Sequence, residues 1–326
     1  MVLSNIGVLA RLGVLLLLGA TGCGGGGSGS SGNSVGTVTN GGDQSGGTVY
    51  STSNTYCDLS ELSYNNDESV NANSDFTWTC NTQNRVLSAN GIPNHEVGTF
   101  PNTNNPNTIS VQNIAKTFTV NPSAISTDGT SAQVVAYALN GIKFDPGTAG
   151  RCNNSGVCSL AGGSGAWNIE ALGHDTFDFG DDMNHAHVQP TGAYHYHGMP
   201  ERYLTKLGKG EAMTFVAWSL DGFPVYARYG YSAAGDANSV IKVLTSSWRL
   251  KSSGDIGRPS TKFHDSSPIS LGAFTQDYEY IANLGDLDKC NGRVGVTPEF
   301  PAGIYYYVIT DSFPYAPRCL VGSFSR

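Results

Sequence analysis

Charge is scarce in this 326-residue chain: 13% of its residues are Asp, Glu, Lys or Arg, and 18 basic side chains face 26 acidic ones, a formal net charge of -8. A polyanion-binding surface needs clustered cations, so nucleic acid is excluded as a partner class. Long apolar runs are also missing. The stretch Leu12 to Ala20 is too short to cross a bilayer, and no longer one follows. No C-x-x-C pair is present, which removes a thiol redox or zinc-ribbon role. Beyond residue 50 no G-x-S-x-G elbow marks a serine nucleophile. Extended helical periodicity is absent too. With 42 glycines and 39% hydrophobic residues the chain is neither a coiled coil nor a disordered acidic tail.

Residues 1–23 read as a leader and not as part of the fold. Arg11 is the only side-chain cation before the apolar run, and Thr21-Gly22-Cys23 closes it. Small residues leading into a cysteine resemble a lipoprotein signal, with Cys23 lipidated as the new N-terminus; an ordinary secretory signal is the alternative. Both export the protein. Loss of Arg11 takes the net charge to 17 − 26 = -9. Residues 24–50 are mostly Gly, Ser, Thr and Asn and cannot bury enough apolar surface to fold, so they read as a flexible tether. Anchoring to the cell envelope, at the outer membrane or cell surface, would then rest on the lipid alone.

Residues 51–326 read as one mainly β domain, antiparallel and sandwich-like, with many tight hairpins. Tyr, Thr, Val and Phe alternate with Asn-Gly, Asp-Gly and Pro-Gly pairs. Gln133 to Leu139 followed by Asn140-Gly141, and Thr214 to Leu220 followed by Asp221-Gly222, predict two-residue hairpin turns. The two segments match at an offset of 81, with Val135/Val216, Ala136/Ala217, Leu139/Leu220 and Gly141/Gly222 identical. A partly duplicated β unit would produce this match; so would any two hairpins sharing turn chemistry. A short helix is expected over Arg202 to Leu207. Beyond Cys23 six cysteines remain, Cys57, Cys80, Cys152, Cys158, Cys290 and Cys319. An even number in an exported chain implies up to three disulfides, and pairing of sequence neighbours (57 with 80, 152 with 158, 290 with 319) is expected.

Four of the seven histidines lie between Asn184 and His197. Pro190-Thr191-Gly192 suits a three-residue hairpin loop. A turn centred on Thr191 sets His187 opposite His195 and His185 opposite His197, and strand alternation then puts all four imidazoles on one face. Ala186, Val188, Tyr194 and Tyr196 take the other, packed face. The expected function of the histidine face is metal binding. Continuing the register sets Met183 opposite Met199, and imidazole plus thioether favours copper, with zinc next. Asp175, Asp178, Asp181 and Asp182 lie just upstream; Asp182 could ligate or, like its neighbours, fix imidazole tautomers, although solvated turn carboxylates are the plainer reading. His95 and His174 are candidate remote ligands without a spacing argument, and His264 is assigned to solvent.

Asp182-Met-Asn-His-Ala-His187 with Tyr194-His-Tyr-His197 resembles the bacterial YHYH protein family. Asn90 to His95, Leu139 to Gly147, Asp221 to Tyr226, Leu287 to Gly292 and Phe313 to Tyr315 extend the resemblance over roughly residues 85 to 325. It implies export and no established activity. Gly303-Ile-Tyr-Tyr-Tyr-Val308 echoes Gly192 to His197 without a histidine, so that second ribbon is expected to pack without metal. Two functional classes stand: a lipid-anchored metal-binding protein whose open coordination would admit a small substrate, or a surface module for glycan or envelope polymer using its 16 tyrosines and four tryptophans. A metal-free hydrolase with a Ser or Asp nucleophile near His185 is a third, weaker reading.

Overall fold

The computed structural model describes residues 48–126 and 128–325. The leader, Cys23 and the tether as far as residue 47 lie outside them. Pairing begins inside the expected tether: Val49 bridges Ser123, and the Tyr50 amide donates to the Pro122 carbonyl at 2.9 Å.

The chain is mostly β. An antiparallel meander comes first, β1 (Leu59–Asn65), β2 (Ala72–Cys80), β3 (Asn84–Ala89) and β4 (Ile114–Thr119), each paired with the next. Alternate burial along these strands gives them one packed face. From that face Trp78 donates its indole N–H to the Leu139 carbonyl of the second sheet at 2.8 Å.

The second sheet has eight strands: β5 (Ala136–Ala138), β6 (Lys143–Phe144), β7 (Ala186–Val188), β8 (Tyr194–Tyr196), β9 (Thr214–Ser219), β10 (Pro224–Ala227), β11 (Gly292–Gly295) and β12 (Ile304–Ile309). They run in the order β7-β8-β6-β5-β9-β10-β12-β11. β9 and β12 are buried along their whole length, so they read as continuous apolar runs and not as alternating strands. Two of the pairings, β6 with β8 and β10 with β12, are parallel.

This order is an internal duplication. At the centre β5 and β9 pair antiparallel, Ala138 with Ala217 and Tyr137 with Trp218. Outward from there each half repeats one sequence of pairings: antiparallel (β5–β6, β9–β10), parallel (β6–β8, β10–β12), antiparallel (β8–β7, β12–β11). The local contacts repeat as well. Tyr194 donates its hydroxyl to Asp182 at 2.7 Å, and Tyr305 donates to Asp288 at 2.9 Å. The His197 amide reaches the His185 carbonyl at 2.7 Å, and the Val308 amide reaches that of Asn291 at 2.9 Å. Two unrelated hairpins with like turns would not share these.

The expected helix is present as α1 (Glu201–Leu207), ended by Gly208 in the left-handed conformation at φ 64°. A 3-10 turn at Thr275–Asp277, not foreseen, follows a second apolar cluster that includes Trp167, Phe177 and Phe274. The disulfides are Cys57–Cys80, Cys152–Cys158 and Cys290–Cys319, the sequence-neighbour pairing. Among the described residues no helix is long and apolar enough to cross a membrane.

Candidate metal centre

The histidine hairpin forms in the expected register, with Ala186 facing Tyr196, His187 facing His195 and Val188 facing Tyr194. Gly192 closes the loop at φ 82°, and its amide donates to the Gln189 carbonyl at 2.8 Å. A side chain there would overlap the Ser110 hydroxyl, so both conformation and space require glycine.

Three imidazoles gather, not four. The ring centroids of His187, His195 and His197 stand 4.7 Å apart in every pair, and one ligand atom from each ring lies within 4.8 Å of the others. His195 and His197 are buried, and His187 is half-buried. Each ring's Nδ1 sits against a backbone carbonyl: His187 against Phe179 at 3.1 Å, His195 against Ala193 at 3.2 Å, His197 against Pro146 at 3.4 Å. A carbonyl only accepts, so each Nδ1 carries the proton and each Nε2 keeps a lone pair. The Nε2 atoms of His187 and His197 then face each other at 3.2 Å. Backbone carbonyls, and not the upstream aspartates, fix the tautomers.

Burial pushes the affinity of all three rings for a proton down. For His195 and His197 it falls well below the usual imidazole range, with the neighbouring rings and Lys143 adding to the effect. Protonation is therefore a poor way to relieve two opposed lone pairs. Lys143 is the neighbour of His195 across the parallel β6–β8 pair. Its ammonium is held by Gln189 at 2.7 Å and Asp145 at 3.4 Å. Asp145 continues that pairing, its amide donating to the Tyr196 carbonyl at 3.0 Å, and its buried Oδ1 has no hydrogen-bond partner.

The other candidate ligands go elsewhere. His185 adopts φ 49°, matching Asn291 at φ 62° in the duplicate, and this left-handed turn takes its ring off the common face. Its Nδ1 donates to the Met199 carbonyl at 2.9 Å, and the ring lines a separate cleft of about 630 Å³ with His174, Asp175, Asp178, Asp181 and Asp311. His174 has both nitrogens engaged: Nε2–H donates to the Glu170 carbonyl at 2.7 Å, and Nδ1 accepts from the Thr176 amide at 3.2 Å. The sulfur pair does not form. Strand pairing stops at Ala186 and Tyr196, leaving Met183 41% exposed while Met199 is packed in the core. His264 is exposed, as expected.

His95 and Asp182 serve the opposite face. His95 donates Nδ1–H to the Glu96 carbonyl at 2.9 Å, and its Nε2 accepts the Tyr196 hydroxyl at 2.6 Å. Asn140 donates to the same hydroxyl at 3.1 Å. Asp182 accepts the Tyr194 hydroxyl, the Gly98 amide at 2.9 Å and the Asn184 amide at 2.8 Å. Both tyrosines of the motif are thus clamped behind the triad. Sequence reading gave Asn184, Lys143 and Asp145 no role and Asn140 only that of a turn residue. The signal was nonetheless in the Leu139 to Gly147 segment, which carries three of them.

The model of the YHYH protein family matches residues 115–322, a span holding the whole eight-stranded sheet and the triad. The chain belongs to this family. No curated protein and no solved structure matches it. The YHYH tetrapeptide is accounted for residue by residue: two histidines supply ring nitrogen to one face of the sheet, and two tyrosines lock the other. In the duplicate, Tyr306 stands where His195 does and pairs with Arg293, whose Nε donates to its hydroxyl at 2.6 Å. Among the described residues the triad is the one group of His, Cys, Asp or Glu side chains arranged to hold an ion.

Proposed function

We propose that this YHYH protein binds one transition-metal ion through the Nε2 atoms of His187, His195 and His197, on a domain exported and tethered by a lipid at Cys23. One observation carries the reading: three imidazoles, each with its Nδ1 against a backbone carbonyl, bring one ligand atom apiece within 4.8 Å of one another. The 3.2 Å separation of two Nε2 atoms matches the edge of about 3.3 Å that zinc–nitrogen bonds of about 2.0 to 2.1 Å make in a tetrahedron. Without the thioethers the donor set is all nitrogen, which suits zinc at least as well as copper. A zinc-type ion with three imidazoles and an open fourth position supplies a Lewis acid and acidifies bound water. The chain's own contribution is to fix ring orientation and keep the rings neutral through burial.

The glycan-module reading finds little support. Tyr64 and Phe263 are the only strongly exposed aromatics among the described residues, the others being packed or partly packed. Export is supported by three disulfides, which persist in an oxidising compartment.

Calorimetric titration of chelator-treated, untagged protein with zinc and with copper(II) tests the metal reading. One equivalent should bind, and His195→Gln with His197→Gln should abolish it. Unchanged binding in that double variant, or none to the wild type, removes the site. Cys23→Ser tests the anchor: the protein should leave the detergent phase for the aqueous phase.

A further inference from the structure

A second cleft, of about 780 Å³, opens beside residues Gly147 to Ala149, immediately after the Pro146 carbonyl that holds His197. Its size falls within the range of about 300 to 1,000 Å³ common for small-molecule sites. What distinguishes it is charge. In a chain of net charge -8, three cations line it, Lys116, Arg151 and Arg318, and no carboxylate does.

The three cations differ in availability. Arg318 is paired with the buried Glu170 at 2.6 Å, and its Nε donates to the Pro314 carbonyl, so it contributes position more than net charge. Arg151 makes one long contact to the Gly165 carbonyl at 3.4 Å. The Lys116 ammonium makes no ion pair or hydrogen bond among the described residues. Two of the three charges are therefore uncompensated. The rest of the wall is mixed, with an apolar part formed by Ala132, Val134, Leu220, Ile169 and Phe324 beside polar side chains such as Gln133, Asn168 and Thr275. Cations beside an apolar part of a wall select an anionic group carried on an apolar body.

We infer that this cleft binds a small amphipathic organic anion, its acidic group held by Lys116 and Arg151 and its apolar part lying against Val134, Leu220 and Phe324. The inference goes beyond metal binding and does not depend on it, because none of the triad side chains lines the cleft.

The test uses the full chain with 8-anilinonaphthalene-1-sulfonate as anionic probe and N-phenyl-1-naphthylamine as its neutral counterpart, followed by fluorescence. The anionic probe should bind at one site, be displaced by decanoate and weaken with salt. In Lys116→Gln/Arg151→Gln its Kd should rise about tenfold while that of the neutral probe holds. Near-UV circular dichroism of the variant should match wild type, since Arg151 is exposed and the half-buried Lys116 ammonium has no hydrogen-bond partner to lose. A second variant, Ala132→Trp, fills the cleft from its rim and should abolish binding of both probes. Equal affinity for the two probes, or wild-type affinity in the charge variant, overturns the inference. Stripping metal with chelator should leave probe binding intact; loss of binding on stripping contradicts an independent cleft.

Discussion

His95 makes the stability of the metal-free protein depend on pH in a direction the structure fixes. It is buried, its Nδ1–H is committed to the Glu96 carbonyl, and its Nε2 accepts the Tyr196 hydroxyl. A proton on Nε2 would break that acceptance. Burial is the main reason its pKa falls from 6.5 to about 4, with Lys206 acting in the same direction and Asp182 and Asp67 opposing. In the unfolded chain the ring titrates near its ordinary value and binds a proton that the folded chain refuses. The contribution is fully present above about pH 6.5 and is lost as pH falls toward 4. One pKa unit corresponds to about 1.4 kcal/mol, so the loss by pH 4 is about 3 kcal/mol. The assay is urea unfolding with chelator present, from pH 4 to 8, of wild type and His95→Gln. The triad rings titrate in the same direction and remain in both proteins, so the difference between the curves isolates His95. Glutamine can still accept the Tyr196 hydroxyl but takes up no proton, so the variant should lose less stability on acidification. Parallel curves would refute the reasoning.

Tyr196→Phe should cost about 2 kcal/mol by leaving His95 Nε2 and the Asn140 amide without their shared partner, and elemental analysis should show metal content unchanged. His185→Asn, which copies Asn291 at the equivalent left-handed turn, should change unfolding free energy by about 1 kcal/mol or less and leave metal stoichiometry intact. Replacing Cys290 and Cys319 by alanine opens a crosslink of sequence separation 29 and should cost about 4 kcal/mol, against about 2 kcal/mol for Cys152 and Cys158 at separation 6, as read by denaturant unfolding.

The hairpin register, the turn at Thr191, the packed tyrosines and the disulfide partners were legible because each depends on local chemistry: alternation, a Pro-Thr-Gly loop, cysteines close in sequence. The sheet's long-range pairing was not. The two parallel pairs join β6 to β8 and β10 to β12 across long connections that no periodicity reports. His185 was misplaced because strand alternation was extended one pair too far. The turn that begins at Asp182 puts residue 185 at positive φ, and an Asp-Met-Asn-His string does not announce that as Asn-Gly would. The Met183 and Met199 pair failed with it, since the ladder ends before either residue. The matching stretch Asp288-Lys-Cys-Asn-Gly-Arg293, aligned on Asp182 to His187, held the correction: it places Asn291, a residue suited to the left-handed region, at the position of His185. The carbonyls of Phe179, Ala193 and Pro146 could not be read at all, because a backbone acceptor leaves no mark in side-chain sequence.

Anomalous scattering bears most directly on the triad. Diffraction recorded on either side of the zinc and copper absorption edges, from crystals of untagged protein expressed with export, should show one peak about 2.0 to 2.1 Å from the Nε2 atoms of His187, His195 and His197. An empty position there after metal is supplied, or a peak placed in the cleft of His174 and His185 instead, would contradict a three-imidazole metal centre.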